Sequence, residues 1–166
     1  TGVINKNRIL KVSGAQAGNI IVITKPLGIG ILSTALKGRK LSDDDMKESI
    51  GWMMTLNKRA SEIALEADAT SCTDITGFGL LGHALNMVRN SDVDFVINKD
   101  NIPVMNRVFE MIDYGMVPEG AYNNLRFLGE RVKFSSDIDE RWRLLLSDPQ
   151  TSGGLLITIE EKNLKF

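Results

Sequence analysis

One stretch of eleven residues constrains the fold more than any other part of the chain. It reads Thr73-Asp74-Ile75-Thr76-Gly77-Phe78-Gly79-Leu80-Leu81-Gly82-His83, and a strand-like run, 69–73, leads into it. Glycines in such a turn let backbone N–H groups come close to another group, and the positive end of the following helix favours an anion. The stretch therefore predicts a strand, a tight turn and an apolar helix whose amino end faces an anion.

The same stretch places a carboxylate, Asp74, directly before the glycine turn. Magnesium prefers oxygen ligands and is commonly held by one or two carboxylates together with substrate phosphates. Asp74 is therefore a candidate metal ligand at the mouth of a phosphate site. Helix-capping aspartates are far commoner than metal ligands, and on spacing alone the capping role is favoured.

Two further glycine turns adjoin strand-like runs. The run 19–24 leads into Lys25-Pro26-Leu27-Gly28-Ile29-Gly30, and Asp148-Pro149-Gln150-Thr151-Ser152-Gly153-Gly154 precedes a last strand through Ile159. The second of these turns has the hydroxyls and flexible backbone of a phosphate cradle, but such turns are mostly only turns. Gly28-Ile29-Gly30 matches neither a P-loop nor a dinucleotide fingerprint, and Lys25 is expected to be solvated.

Hydrophobic periodicity predicts the remaining elements. Ser42 to Asp45 resembles a capping box that starts one long helix reaching about Glu66, with Asn57 interrupting its apolar stripe. Further strands are predicted over 9–12 and 93–97, and further helices over about 29–36, 79–89, 103–115, 122–129 and 138–146, with another starting near 160. The pattern predicts one α+β domain whose helices pack on a sheet, and it leaves the strand order open.

Composition argues against several classes of function. A net charge of −1 gives no electrostatic reason to expect nucleic acid or an anionic membrane as a partner, and no apolar run reaches the length of a membrane span. The single cysteine, Cys72, excludes an internal disulfide and a cysteine-cluster metal site, so a reducing, cytoplasmic setting is expected. Cys72 is expected to be buried, and His83 to pack or hydrogen-bond, so we expect no nucleophile paired with a base.

Three motifs in this order resemble selenophosphate synthetase (selenide, water dikinase). They are Thr24-Lys25-Pro26-Leu27-Gly28, the stretch 73–83, and the segment 146–156. The resemblance implies that ATP, selenide and water give selenophosphate, AMP and phosphate, with Mg²⁺ and a monovalent cation required. It also implies the fold of the C-terminal domain in the aminoimidazole ribonucleotide synthetase superfamily: helices packed on a mixed, largely antiparallel sheet.

The resemblance further implies that residues 1–166 are a single C-terminal domain, with 1–18 as its lead-in and first strand. The N-terminal domain, which carries the catalytic cysteine or selenocysteine and most Mg-ATP ligands, is expected to lie outside this chain. We therefore expect no catalytic residue here, an inactive fragment, and a homodimer for the full-length enzyme. The family's C-terminal domain continues past the point matching Phe166, which predicts an uncovered sheet edge.

Within the resemblance, Asp74 matches the one metal-binding aspartate that the family's C-terminal domain contributes, which reverses the preference for a capping role. Thr76, Gly77 and Gly79 match positions that shape the phosphate site for ATP. Two other functions stay open: a non-catalytic module that binds a selenium-delivery or tRNA-modifying enzyme, and an ADP-forming kinase of the same superfamily.

Overall fold

Three strands form the sheet of this domain. The computed structural model describes residues 3–6, 8–89 and 91–164, and its strands are β1 (Asn19–Ile23), β2 (Ser71–Asp74) and β3 (Leu155–Glu160). β3 is central and antiparallel to both neighbours. β1 and β2 therefore run in the same direction, and their carboxyl ends meet the amino end of β3. We call this the turn end of the sheet.

Helices cover both faces of the sheet. The described residues form seven of them: α1 (Ile29–Lys37), α2 (Lys47–Met54), α3 (Lys58–Glu66), α4 (Gly79–Arg89), α5 (Val108–Asp113), α6 (Glu119–Leu128) and α7 (Glu140–Leu146). Successive side chains of a strand point to opposite faces, so Leu156 joins the main core while Leu155 and Ile157 join a smaller cluster with Ala64 of α3. The predicted α+β fold is confirmed, with an antiparallel sheet.

None of these helices, within the described ranges, is long and apolar enough to cross a membrane.

The single long helix predicted from Ser42 to about Glu66 is wrong. Two helices occupy this region, because Thr55 has extended backbone (φ −69°, ψ 117°) directly after α2. The Asn57 side chain then donates a hydrogen bond to the Gly153 carbonyl at 2.9 Å. The Asn57 side chain therefore bonds to the turn end of the sheet at the point where a single helix would have continued. Hydrophobic periodicity alone does not reveal such a tertiary contact.

The predicted capping box does form, although it precedes the helix by one turn. The Asp45 carboxylate accepts from the Ser42 N–H at 2.8 Å, and the Asp45 N–H lies 3.4 Å from the Ser42 hydroxyl. Helix α2 begins only at Lys47. The reciprocal bonds therefore stabilise the turn that leads into the helix.

Two predicted strands do not join the sheet in the part of the chain that the structure describes. In segment 9–12, the Lys11 carbonyl accepts a hydrogen bond from the Cys72 N–H at 2.8 Å, but the segment forms no ladder of bonds with β2. Segment 93–97 keeps the alternating exposure of a strand and faces β1 across a cavity of about 870 Å³. Among the described residues this segment belongs to no strand of the sheet, so the alternation survives there without pairing.

The helix predicted near residue 160 is a short 3₁₀ turn, Glu161–Asn163, and Lys165 at its far end lies outside the described residues.

Candidate functional site

The three glycine-containing turns identified in the sequence meet at the turn end of the sheet. Segment 147–154, which leads into β3, hydrogen-bonds to the turn after β2: the Gly154 carbonyl accepts from the Ile75 N–H at 2.9 Å, and the Gln150 N–H donates to the Thr76 carbonyl at 3.0 Å. On its other side, the Leu155 N–H donates to the Thr24 hydroxyl at 2.8 Å. Residues far apart in sequence thus form one surface.

Close backbone approach between these turns requires glycine at two positions. A Cβ on Gly153 would lie 2.2 Å from the Ile75 carbonyl oxygen. Gly79 is buried with φ +68°, and a Cβ there would lie 2.7 Å from the carbonyl carbon of Ser147. Gly79 therefore fits the turn against segment 147–154, whereas Gly77 is exposed and a Cβ there would meet nothing within 4 Å.

Asp74 is the last residue of β2 and is exposed. No described residue donates a hydrogen bond to its carboxylate, so the capping alternative has no hydrogen bond to support it. Within the described residues, no group of three or more His, Cys, Asp or Glu side chains could hold a metal ion. Asp74 could therefore supply only part of a coordination shell, which suits Mg²⁺ bound mainly by waters and phosphate oxygens.

The turn after Asp74 is held by a histidine of α4. The Thr76 N–H donates to His83 Nε2 at 3.0 Å, and the Thr76 hydroxyl lies 3.1 Å from the same nitrogen. Burial lowers the pKa of His83, and the nearby Asp74 charge partly opposes this effect. A ring that accepts at Nε2 is neutral, with its proton on Nδ1. The expected hydrogen-bonding role of His83 is confirmed.

Two backbone N–H groups remain open at the amino end of α4. Gly77 and Phe78 are exposed, and their N–H groups have no hydrogen-bond partner among the described residues. The Gly77 carbonyl, by contrast, accepts from the Asn124 side chain at 2.8 Å. Unpaired amides at a helix amino end carry partial positive charge and can bind an anion.

The amino end of α1 is closed instead. Gln150 Oε1 accepts from the Gly28 and Ile29 N–H groups, both at 3.3 Å, and Asp148 Oδ2 accepts from the Gly30 N–H at 3.0 Å. Asp148 is completely buried, and burial raises its pKa to about 7 despite its hydrogen bonds. The sequence pattern predicted no role for these two side chains. The only sequence feature that could have indicated their role is that two polar residues, Asp148 and Gln150, lie within a glycine turn.

Lys25 is buried, with 4% of its surface exposed, so the expectation of a solvated lysine is wrong. Its Nζ donates to the Thr55 carbonyl at 2.7 Å and to the Ser152 carbonyl at 2.8 Å. Burial lowers the pKa of Lys25. Because Thr55 follows the carboxyl end of α2, the ammonium lies where the helix dipole favours a cation.

Cys72 is buried on β2, as expected. Burial, and then the Asp74 charge, raise the pKa of its thiol to about 11. The thiolate is the reactive form of cysteine, so burial and the raised pKa favour a packing role for this side chain.

Comparison with known proteins agrees with this architecture. Residues 16–165 match the model of the AIR synthase related protein, C-terminal domain. A selenide, water dikinase from Clostridium botulinum (strain Eklund 17B / Type B) is 41% identical over 99% of this chain and 48% of that protein. The chain spans about half the length of the curated relatives it matches.

Two solved structures share the fold. Thiamine-monophosphate kinase from Stenotrophomonas maltophilia K279a has a TM-score of 0.61 at 17% identity, over 96% of this chain and 45% of that one. AaThiL complexed with AMPPCP and TMP has a TM-score of 0.63 at 16% identity, over 95% of this chain and 44% of that one. The chain belongs to the AIR synthase related protein C-terminal domain family and is similar to selenide, water dikinases.

Proposed function

We propose that this domain contributes a magnesium ligand, Asp74, and one wall of the phosphate site to an ATP-dependent selenophosphate synthetase. The observation that carries the proposal is the Asp74 carboxylate, which is exposed at the turn end and accepts no hydrogen bond from a described residue. The names of the curated relatives support the reaction, in which ATP, selenide and water give selenophosphate, AMP and phosphate. A cytoplasmic, homodimeric full-length enzyme belongs to the same proposal.

The residues of this chain fit a partial role in binding Mg-ATP. Asp74 offers the hard oxygen ligand that Mg²⁺ prefers, and bound Mg²⁺ would neutralise charge on the phosphates. The N–H groups of Gly77 and Phe78 would donate to a phosphate oxygen, while Thr76 and Gly79 would fix the shape of the turn. Donors oriented in advance stabilise charge that develops during phosphoryl transfer. The nucleophile and the other metal ligands would come from outside the described residues.

The test is ³¹P NMR of ATP, Mg²⁺ and selenide with the full-length enzyme under anaerobic conditions. We expect Asp74→Asn to lower the rate of selenophosphate formation by roughly a hundredfold while the free energy of unfolding changes by less than about 0.5 kcal/mol. Asp43→Asn is the matched control, because Asp43 is exposed and its side chain has no hydrogen bond or ion pair among the described residues.

An Asp74→Asn enzyme with unchanged turnover would contradict the metal role and favour the interaction module. ADP as the product would identify an ADP-forming kinase instead. A loss of turnover accompanied by a comparably large loss in the free energy of unfolding would mean that Asp74 has a structural role.

A further inference from the structure

The peptide between Asp74 and the amino end of α4 is tightly held by hydrogen bonds. Thr76 takes part in four: its carbonyl accepts from the Gly79 and Gln150 N–H groups, both at 3.0 Å, while its N–H and hydroxyl contact His83 Nε2. His83 is the one described side chain that accepts from a backbone N–H of this turn. The orientation of the Thr76 peptide therefore depends on a side chain located one turn into α4.

We infer that His83 is a positioning residue for the proposed phosphate site: by accepting the Thr76 N–H, it fixes the turn so that Asp74 and the Gly77 and Phe78 amides can bind a metal-phosphate together. This inference rests on the proposed function. His83 itself touches neither metal nor phosphate.

Two observations support a positioning role over simple packing. The bond to His83 satisfies the Thr76 N–H, which directly precedes the unpaired N–H groups of Gly77 and Phe78. It therefore marks the boundary between the hydrogen-bonded part of the turn and the part whose amides have no partner among the described residues. The His83 ring also packs against the turn, since the centroids of the Phe78 and His83 rings lie 6.0 Å apart. Gly82 permits this packing, because a Cβ there would lie 2.6 Å from the Phe78 Cβ. Without an acceptor at Nε2, the Thr76 N–H would have to find water, and the peptide could rotate.

The full-length enzyme provides the test, because this chain supplies only part of the proposed coordination shell. The probe is Mn²⁺ with tripolyphosphate, and free Mn²⁺ is measured by electron paramagnetic resonance. His83→Leu removes the acceptor at similar volume, whereas the amide oxygen of His83→Gln can still accept. We expect His83→Leu to weaken Mn²⁺–tripolyphosphate binding about three- to tenfold, the range that loss of one hydrogen bond gives. His83→Gln should restore most of the affinity. All affinities are measured below the unfolding transition of each variant, checked by circular dichroism.

The outcomes separate this inference from the proposed function. Equal affinity for wild type and His83→Leu, with binding lost in Asp74→Asn, would overturn the positioning role alone. Equal weakening by the Leu and Gln variants would also overturn it, because packing would then explain the loss. A wild-type full-length enzyme that binds no probe, or a full-length Asp74→Asn enzyme that binds the probe normally, would overturn both proposals.

Discussion

The amino ends of α1 and α4 follow the same local pattern and have opposite surroundings. Each follows a strand that ends at the turn end of the sheet, and each is preceded by a glycine turn. At α1, Asp148 and Gln150 occupy the backbone N–H groups. At α4, the Gly77 and Phe78 amides lack a described partner, and Asp74 is exposed beside them. A glycine turn before a helix therefore predicts an anion site only where no side chain already fills it.

The difference follows from the groups that one chain segment presents to each of the two turns. Segment 147–154 lies against both turns, but it presents side chains to α1 and mainly backbone to the turn after β2. The buried side chains of Asp148 and Gln150 thus fill the amino end of α1 with acceptors from within the chain. Changes to the side chains that close the amino end of α1, or to the backbone contact between the turns, should alter stability, whereas changes to the exposed Asp74 should alter ligand binding.

The largest expected effect is the pH dependence of stability that Asp148 causes. Its folded-state pKa of about 7 lies above the ordinary aspartate value of 3.8, because burial disfavours the charged form. Folding therefore takes up a proton between these pH values, and the free energy of unfolding falls as pH rises from about 4 to 7, by at most about 4 kcal/mol.

Urea unfolding of wild type and Asp148→Asn at several pH values measures this contribution. The wild type should lose stability relative to Asp148→Asn as pH rises through this window, and the difference should level off above it. Exposed carboxylates titrate equally in both proteins and cancel. A difference that does not vary with pH would mean that Asp148 is ionised throughout.

Gly153→Ala should destabilise the domain by about 3 kcal/mol. Its Cβ would lie 2.2 Å from the Ile75 carbonyl oxygen, so the backbone of both segments must move apart. The control is Gly51→Ala within α2, where a Cβ meets nothing within 4 Å and a gain of about 0.5–1 kcal/mol is expected. Denaturant midpoints that shift equally in the two variants would refute the close contact between the turns.

Gln150→Leu should lower the free energy of unfolding by about 2 kcal/mol, because the buried Gly28 and Ile29 N–H groups lose their acceptor. Mn²⁺–tripolyphosphate affinity should stay at the wild-type value below the unfolding transition. Gln16→Leu is the control, since Gln16 is exposed and its side chain makes no hydrogen bond within the described ranges. Reduced ligand affinity at unchanged stability would reverse the roles assigned to the two turns.

The sequence pattern predicted β1, β2, β3 and α4 to within about two residues, because strong periodicity and glycine punctuation mark these elements locally. It failed where tertiary contacts decide the outcome. The break between α2 and α3 depends on bonds from Lys25 and Asn57 to other segments. Segment 93–97 has a strand pattern but forms no ladder with β1, and a cavity lined by both lies between them.

Candidate site residues divide in the same way. The resemblance of the stretch 73–83 to a known family selected Asp74, Thr76, Gly77 and Gly79, and their metal and phosphate roles stay predictions. That Asp148 and Gln150 close α1, and that His83 holds Thr76, follows from contacts between the turns.

The sequence by itself determined the α+β class, the strand–turn–helix units and the residues that resemble a known family, because these depend on short-range pattern and residue chemistry. Only the tertiary structure decided which helix amino end is open, that Lys25 is buried, and that Asp74 is exposed with no hydrogen bond to its carboxylate from a described residue. These properties depend on which segments the antiparallel sheet brings to its turn end, and burial there sets both hydrogen bonding and pKa.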